Sequence, residues 1–200
     1  MSSIIAITGG IGSGKSIISM ILRIMGYFVY DCDSEAKSLM DKSLEIKNSL
    51  KVKFGNDIFF QNGEINRNAL SMIVFADKDK LNHLNAIVHS AVKRDIIEWV
   101  KEHKAENKLF IETAILNESN LGGLMDEIWY VDAPIDIRIK RVMLRNRCTE
   151  NEVKARISVQ NSNPLPNYKI IINDNVLPVL PQVFHLINND AKKCKEFDEF

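Results

Sequence analysis

The stretch ITGGIGSGKSII, Ile7 to Ile18, decides how the rest of the 200-residue chain is read. Gly9 is followed after four residues by Gly14-Lys15-Ser16; Ile4, Ile5, Ala6 and Ile7 precede it, and Ile17, Ile18, Met20, Ile21 and Leu22 follow. This is a loop set between a buried strand and an amphipathic helix, the context in which a glycine-rich loop binds phosphate. Its glycines allow successive backbone N–H groups to converge on an anion, and the first turn of the helix adds the positive end of its dipole. Lys15 is expected to reach the β and γ phosphates of a nucleoside triphosphate, and the Ser16 hydroxyl to face Mg²⁺. The loop alone does not say what receives the phosphate.

Lys and Arg total 26, Asp and Glu 26, and the sequence pI is near 6.9, so bulk attraction to nucleic acid or to an anionic membrane is not expected. Cys32, Cys148 and Cys194 are odd in number and widely spaced, which suits free thiols in a reducing cytoplasm. No run approaches the length of a membrane span and no charged leader opens the chain, so a cytoplasmic protein is expected. The size suits one α/β domain with an inserted segment and a lid, and a monomer is expected rather than an obligate oligomer.

Further strands are expected at Tyr27 to Tyr30, Leu109 to Ile111, Ile128 to Val131 and Ile170 to Ile172. Short β-rich runs that alternate with helical patterns predict a parallel sheet covered on both faces. From Ser34 to Lys108 a mostly helical stretch is too long for a simple connection and reads as a substrate-holding insertion, about 34–107. Within it Asn62-Gly63 marks a turn between apolar residues, Arg67, Leu70, Ile73 and Val74 resume helical spacing, and Lys78 to His103 makes one or two helices. The charged end, residues 189–200, reads as a frayed tail.

The second strand ends in VYDCDSEA, which puts Asp31 and Asp33 at the carboxyl edge of the sheet, where ligands of open α/β folds gather. Asp33 can accept a hydroxyl proton and Asp31 can order metal-bound water; equally, Asp33 can cap a helix that begins at Ser34. In PIDIRIKRVMLRNR a helix would bury Ile135, Ile139 and Val142 and carry Arg138, Arg141 and Arg145 on an adjacent face. Arginine's planar fork suits phosphate oxygens, whereas a solvated basic face is the plainer reading.

Together these segments resemble the dephospho-CoA kinase family: TGGIGSGKS, DCD, FG…NGEINRNALSMIVF, LNAIVHSAV, ETAILNES, the arginine helix, ARISVQ and IIIN occur in the family's order from the first strand to Asn173. The resemblance implies a three-layer α/β/α P-loop kinase fold with a parallel central sheet, a helical substrate-binding insertion and a lid at about 135–165. It implies that the γ phosphate of ATP, bound with Mg²⁺, passes to the ribose 3′-hydroxyl of dephospho-CoA. On that basis Asp33, Lys15 and Arg141 are expected to be catalytic. Gly10, Ile11, Gly12, Ser13, Gly14, Lys15, Ser16, Ile17, Arg145 and Asn173 are expected at ATP, with Asn173 near adenine. Asp33, Arg67 and His89 are expected at the acceptor, and Ser16 at Mg²⁺, with Asp31 or Glu112 acting through water. Arg156 and Gln160 also fall on family positions.

The chain departs from the family pattern at Ile17 for threonine, Ser90 for proline, Glu112 for aspartate and Ala114 for proline, and the stretch after Gln160 is short, with Pro164 and Pro166. A GTP switch is disfavoured because Asn107-Lys108 leads into Leu109-Phe110 and not into an Asn-Lys-x-Asp motif. A nucleoside monophosphate kinase would use the same loop, acid and arginines, and only the helical segment after Asp33 separates it.

Overall fold

The structure is a computed structural model that describes residues 2–114, 116, 121–160 and 167–195, with the backbone alone described for Val159 and for residues 189–195. Pro164 and Pro166, the last part of the expected lid and much of ETAILNES lie outside the described residues.

β1 (Ser3–Thr8) carries Ile5, Ala6 and Ile7, all fully buried. A strand with both faces covered reads as a continuous apolar run, as parallel sheets require. It lies at the centre of a five-stranded sheet ordered β2-β3-β1-β4-β5, whose other members are β2 (Phe28–Asp31), β3 (Lys108–Glu112), β4 (Glu127–Asp132) and β5 (Tyr168–Ile172). β1 pairs parallel with β3, Ile7 opposite Glu112, and with β4, Ile7 opposite Trp129; β4 pairs parallel with β5. The fold is three-layer α/β/α, and every expected strand is present with ends shifted by one or two residues.

By its contacts the chain divides into two compact units, Met1–Val29 with Glu106–Phe200, and Tyr30–Ala105. In the first, Ile18 and Leu22 of α1 (Lys15–Ile24) and Val183 and Ile187 of α8 (Val179–Lys195) join Ile5, Ile7, Phe110 and Trp129 in one core. Phe110 meets Tyr27 and Trp129 edge to face, with ring centroids 5.3 and 5.2 Å away, so its ring links β3 to β4 and to the connection between α1 and β2. The α8 backbone is helical to Lys195, within the stretch 189–200 expected as a tail, and Glu196 to Phe200 lies outside the described residues.

The second unit is helical: α2 (Cys32–Lys42), α3 (Leu44–Phe54), α4 (Arg67–Phe75) and α5 (Lys78–Glu102), the last a single helix. Each begins on a side-chain cap, from Asp31, Ser43, Asn66 and Asp77 in turn, and such caps satisfy backbone donors that helices leave orphaned. Ile46, Leu50, Ile58, Leu70 and Val74 form its core. Asn62-Gly63 makes the expected turn: Gly63 N–H donates to Phe60 O at 2.9 Å, and Phe59 bridges to Ile65.

Phe110 has no exposed surface, so Phe110→Ala should cost ~3–5 kcal/mol in urea unfolding, through lost burial and the cavity left behind. A loss below about 1 kcal/mol would mean that this core relaxes around the gap.

Candidate active site

The loop after β1 ends on Gly14, which has φ 97 and sits at the N-cap of α1. A Cβ at Gly14 would lie 2.1 Å from the Asn173 side-chain nitrogen, and one at Gly10 would lie 2.2 Å from the Arg138 guanidinium. Glycine is required at Gly14, where the backbone is left-handed and Asn173 presses on it, whereas at Gly10 the crowding comes from the end of the Arg138 side chain.

Those side chains bind the loop's carbonyls. Arg138, on α6 (Ile135–Asn146), donates from Nε to Ile11 O at 2.9 Å. Arg141, one turn on, donates from Nη1 to Gly12 O at 3.4 Å and to Ser13 O at 3.3 Å. Asn173 follows β5 directly and donates from Nδ2 to Ser13 O at 2.8 Å. Arg141 Nη2 in turn reaches Asn173 O at 3.0 Å, Asn173 Oδ1 at 3.1 Å and Asn175 Oδ1 at 2.5 Å. Three successive carbonyls are therefore held by donors from α6 and the end of β5.

In a planar trans peptide the N–H points opposite to the carbonyl. Binding the Ile11 carbonyl therefore turns the Gly12 N–H away from Arg138, and binding the Ser13 carbonyl turns the Gly14 N–H away from Asn173. The intervening Ser13 N–H donates to Gly10 O at 3.1 Å. The Gly12 and Gly14 N–H groups thus lie on the side away from those side chains, next to the start of α1, a setting suited to an anion. Lys15, at that same helix end, donates from Nζ to Gly9 O at 3.0 Å and Gly10 O at 3.4 Å. The Ser13 hydroxyl is almost wholly buried and has no hydrogen-bond partner among the described residues, whereas Ser16 is exposed.

Glu112 is half-buried at the end of β3, opposite Ile7, which places a carboxylate on the strand beside the one that feeds the loop. Among the described residues no three His, Cys, Asp or Glu side chains form a metal-binding group.

In the helical unit the structure corrects one alternative. α2 begins at Cys32, and Asp31 is its cap: Oδ1 accepts from Asp33 N–H at 3.0 Å and Ser34 N–H at 3.2 Å, and Oδ2 from Ser34 Oγ at 2.7 Å. Asp33 therefore is not a cap; it sits exposed in the first turn. Both Asp31 oxygens thus accept hydrogen bonds from the start of α2. Tyr30 is buried and donates to Asp95 at 2.5 Å, and that burial, with the carboxylate partner, pushes its phenol well above the usual range. Arg67 Nη2 donates to both Asp41 oxygens, at 2.9 and 3.0 Å, while His89 is half-buried on α5.

The arginine helix also differs from expectation. Ile139 and Val142 are buried, but Ile135 is 51% exposed at the first turn. Arg138 and Arg141 bind the loop; Arg145 is exposed and donates to Asn146 Oδ1 at 3.1 Å. Asn173, expected near adenine, is buried, and its side chain engages Ser13 and Arg141. Arg138 was absent from the expected catalytic and ATP-binding sets; its spacing one turn before Arg141 was the available signal. Arg156 is exposed on α7 (Glu150–Val159).

Comparison with known proteins identifies the family and the fold. The family model described as dephospho-CoA kinase matches residues 3–177. A dephospho-CoA kinase of Bacteroides fragilis is 34% identical over 92% of this chain and 90% of its own length. One of Porphyromonas gingivalis is 40% identical over 78% and 76%. Among solved structures, a Thermus thermophilus protein superposes with TM-score 0.80 at 30% identity, covering 94% of this chain and 97% of that one. A dephospho-CoA kinase from Campylobacter jejuni shares the fold at TM-score 0.71 and 24% identity, covering 96% and 99%.

Because Arg141 holds two loop carbonyls and the Asn173 side chain, Arg141→Ala should weaken Mg-ADP binding by about 10–100-fold in titration calorimetry, the scale of lost charge-assisted hydrogen bonds. An unchanged affinity would show that the loop keeps its shape without this arginine.

Proposed function

This chain belongs to the dephospho-CoA kinase family, and we propose that it transfers the γ-phosphoryl group of ATP to the ribose 3′-hydroxyl of dephospho-CoA, giving CoA and ADP, the last step of CoA synthesis. The observation that carries the reading is the set of bonds on the Ile11, Gly12 and Ser13 carbonyls, which leaves the Gly12 and Gly14 N–H groups for phosphate oxygens.

In the reaction a bond forms between the 3′-oxygen and the γ phosphorus. The bond from that phosphorus to the oxygen bridging the β and γ phosphates breaks, and the hydroxyl proton goes to Asp33. Asp33 suits that task because Asp31 already caps the helix, so the Asp33 carboxylate has no capping bond to give up. Lys15 holds the β and γ phosphates as charge moves between them. Arg141 fixes the loop and adds positive charge beside it, and Arg145 offers an exposed guanidinium to ATP. Arg67, oriented by Asp41, and His89 serve the acceptor from the helical unit.

The exposed Ser16 hydroxyl and the Glu112 carboxylate at the end of β3 fit Mg²⁺, which keeps most of its water and takes one or two protein oxygens with the phosphates. When bound, the ion neutralises charge on the β and γ phosphates. A cytoplasmic setting is in keeping with three cysteines that are odd in number and widely spaced in sequence. No helix among the described residues is long and apolar enough to cross a membrane.

The test is ADP release with ATP and Mg²⁺ against dephospho-CoA, AMP and shikimate. Dephospho-CoA should be preferred, and AMP or shikimate turning over far faster would overturn the reading. In the same assay Asp33→Asn should lose ~10²–10⁴-fold in turnover, towards the lower end if the transition state is loose. Its thermal stability should match the parent's, whereas Asp31→Ala should lose ~1 kcal/mol with the cap. Near-parent turnover in Asp33→Asn would move the base elsewhere.

A further inference from the structure

Gln160 ends α7, its own N–H bonded to Ile157 O at 3.2 Å. Its side-chain amide joins two other segments. Oε1 accepts from the Ile11 N–H at 2.7 Å, and Nε2 donates to the Ala114 carbonyl at 3.2 Å. A donor and an acceptor presented together fix which way the amide faces, and a carboxylate of the same length would satisfy only one of them.

The Ile11 N–H belongs to the Gly10–Ile11 peptide. Its other end, the Gly10 carbonyl, accepts from the Ser13 N–H at 3.1 Å and from Lys15 Nζ at 3.4 Å. One rigid peptide plane is thus gripped on both sides, by Gln160 at the N–H and by the loop's serine and lysine at the oxygen. Rotating such a plane at one end must swing the other.

We propose that Gln160 is a positioning residue: by holding the Ile11 N–H it sets the Gly10 carbonyl, and through it the resting place of the Lys15 ammonium, while tying the end of α7 to the phosphate loop. The bond also commits the Ile11 N–H to the protein, so that phosphate meets the Gly12 and Gly14 donors. α7 does not need Gln160 to fold. It starts on a capping box of Thr149 and Glu152 and buries Val153 against Ile139 and Val142. The kinetic part of the proposal rests on the kinase reading above; the structural part does not.

Gln160→Met keeps the reach of the side chain and removes both hydrogen bonds. In this variant kcat/KM for ATP should fall about tenfold, as displacement of a charged group by a fraction of an ångström does. KM for dephospho-CoA should stay within about twofold of the parent's, since uniform acceptor binding is untouched. Hydrogen exchange at the Ile11 amide should speed up, while the Ile5 and Ile7 amides in β1 keep their parental rates. Unchanged exchange at Ile11 would show that the bond is absent in solution. Faster exchange with parental kinetics for ATP would show that the bond positions nothing. Either result overturns the proposal. If β1 exchange shows that the variant is unfolded, Gln160→Ala is measured in the same way; failure of both to fold makes Gln160 a brace of the fold and also overturns it. Should the parent itself not use dephospho-CoA, the function reading fails. Ile11 exchange together with Mg-ADP affinity, expected to drop about tenfold in Gln160→Met, then decides this proposal.

Discussion

Everything at this site depends on who holds the carbonyls of a glycine-rich loop. Left to itself such a loop samples many conformations, and ordering each residue costs about 1–2 kcal/mol of backbone entropy. Here two arginines and a nearly buried asparagine bind three consecutive carbonyls. Hydrogen bonds from charged donors contribute roughly 1.5–3 kcal/mol each. The two arginines therefore offset part of the ordering, and the geometry of the trans peptide turns the N–H groups away from the side chains that hold the carbonyls. The sheet supplies the donors. β1 brings the loop to the carboxyl edge, β4 leads into α6 with Arg138 and Arg141, and β5 ends at Asn173.

The helical unit works by a similar division of labour between neighbours. Asp31 and Asp33 are two residues apart and chemically alike, yet one is consumed by the backbone donors of α2 while the other is exposed. Three hydrogen bonds tie the Asp31 carboxylate to the start of α2. At 114 the family's usual proline is alanine, and the contact made there uses only the carbonyl, which both residues possess. That substitution therefore leaves the Gln160 bridge intact.

The strands and most helices were legible because they follow from apolar periodicity and strong breakers, as in the continuous run of Ile4 to Ile7 or the turn at Asn62-Gly63. The phosphate loop was legible as spacing. What the sequence did not reveal was direction. Residue type marks Arg138, Arg141 and Arg145 as a basic face, but whether a guanidinium meets a ligand or a loop carbonyl depends on where α6 lies against the loop. Ile135 shows the same limit: helical spacing put it on the buried face, whereas its place in the first turn leaves it half exposed. The start of α2 was misjudged because either of two aspartates could cap it, and only backbone geometry distinguishes them. Gln160 was legible only by resemblance, since a glutamine at a helix end carries no pattern of its own.

The claim that the carbonyl bonds aim the loop can be read directly from its amide protons. With ¹⁵N-labelled protein, adding Mg²⁺ and a non-hydrolysable ATP analogue should shift the Gly12 and Gly14 amide protons strongly downfield, as new hydrogen bonds to phosphate form. The Ile11 amide, already bonded to Gln160, should move little. A large shift at Ile11 with Gly12 and Gly14 unmoved would mean that the loop meets phosphate with the opposite set of peptides, and would contradict the account.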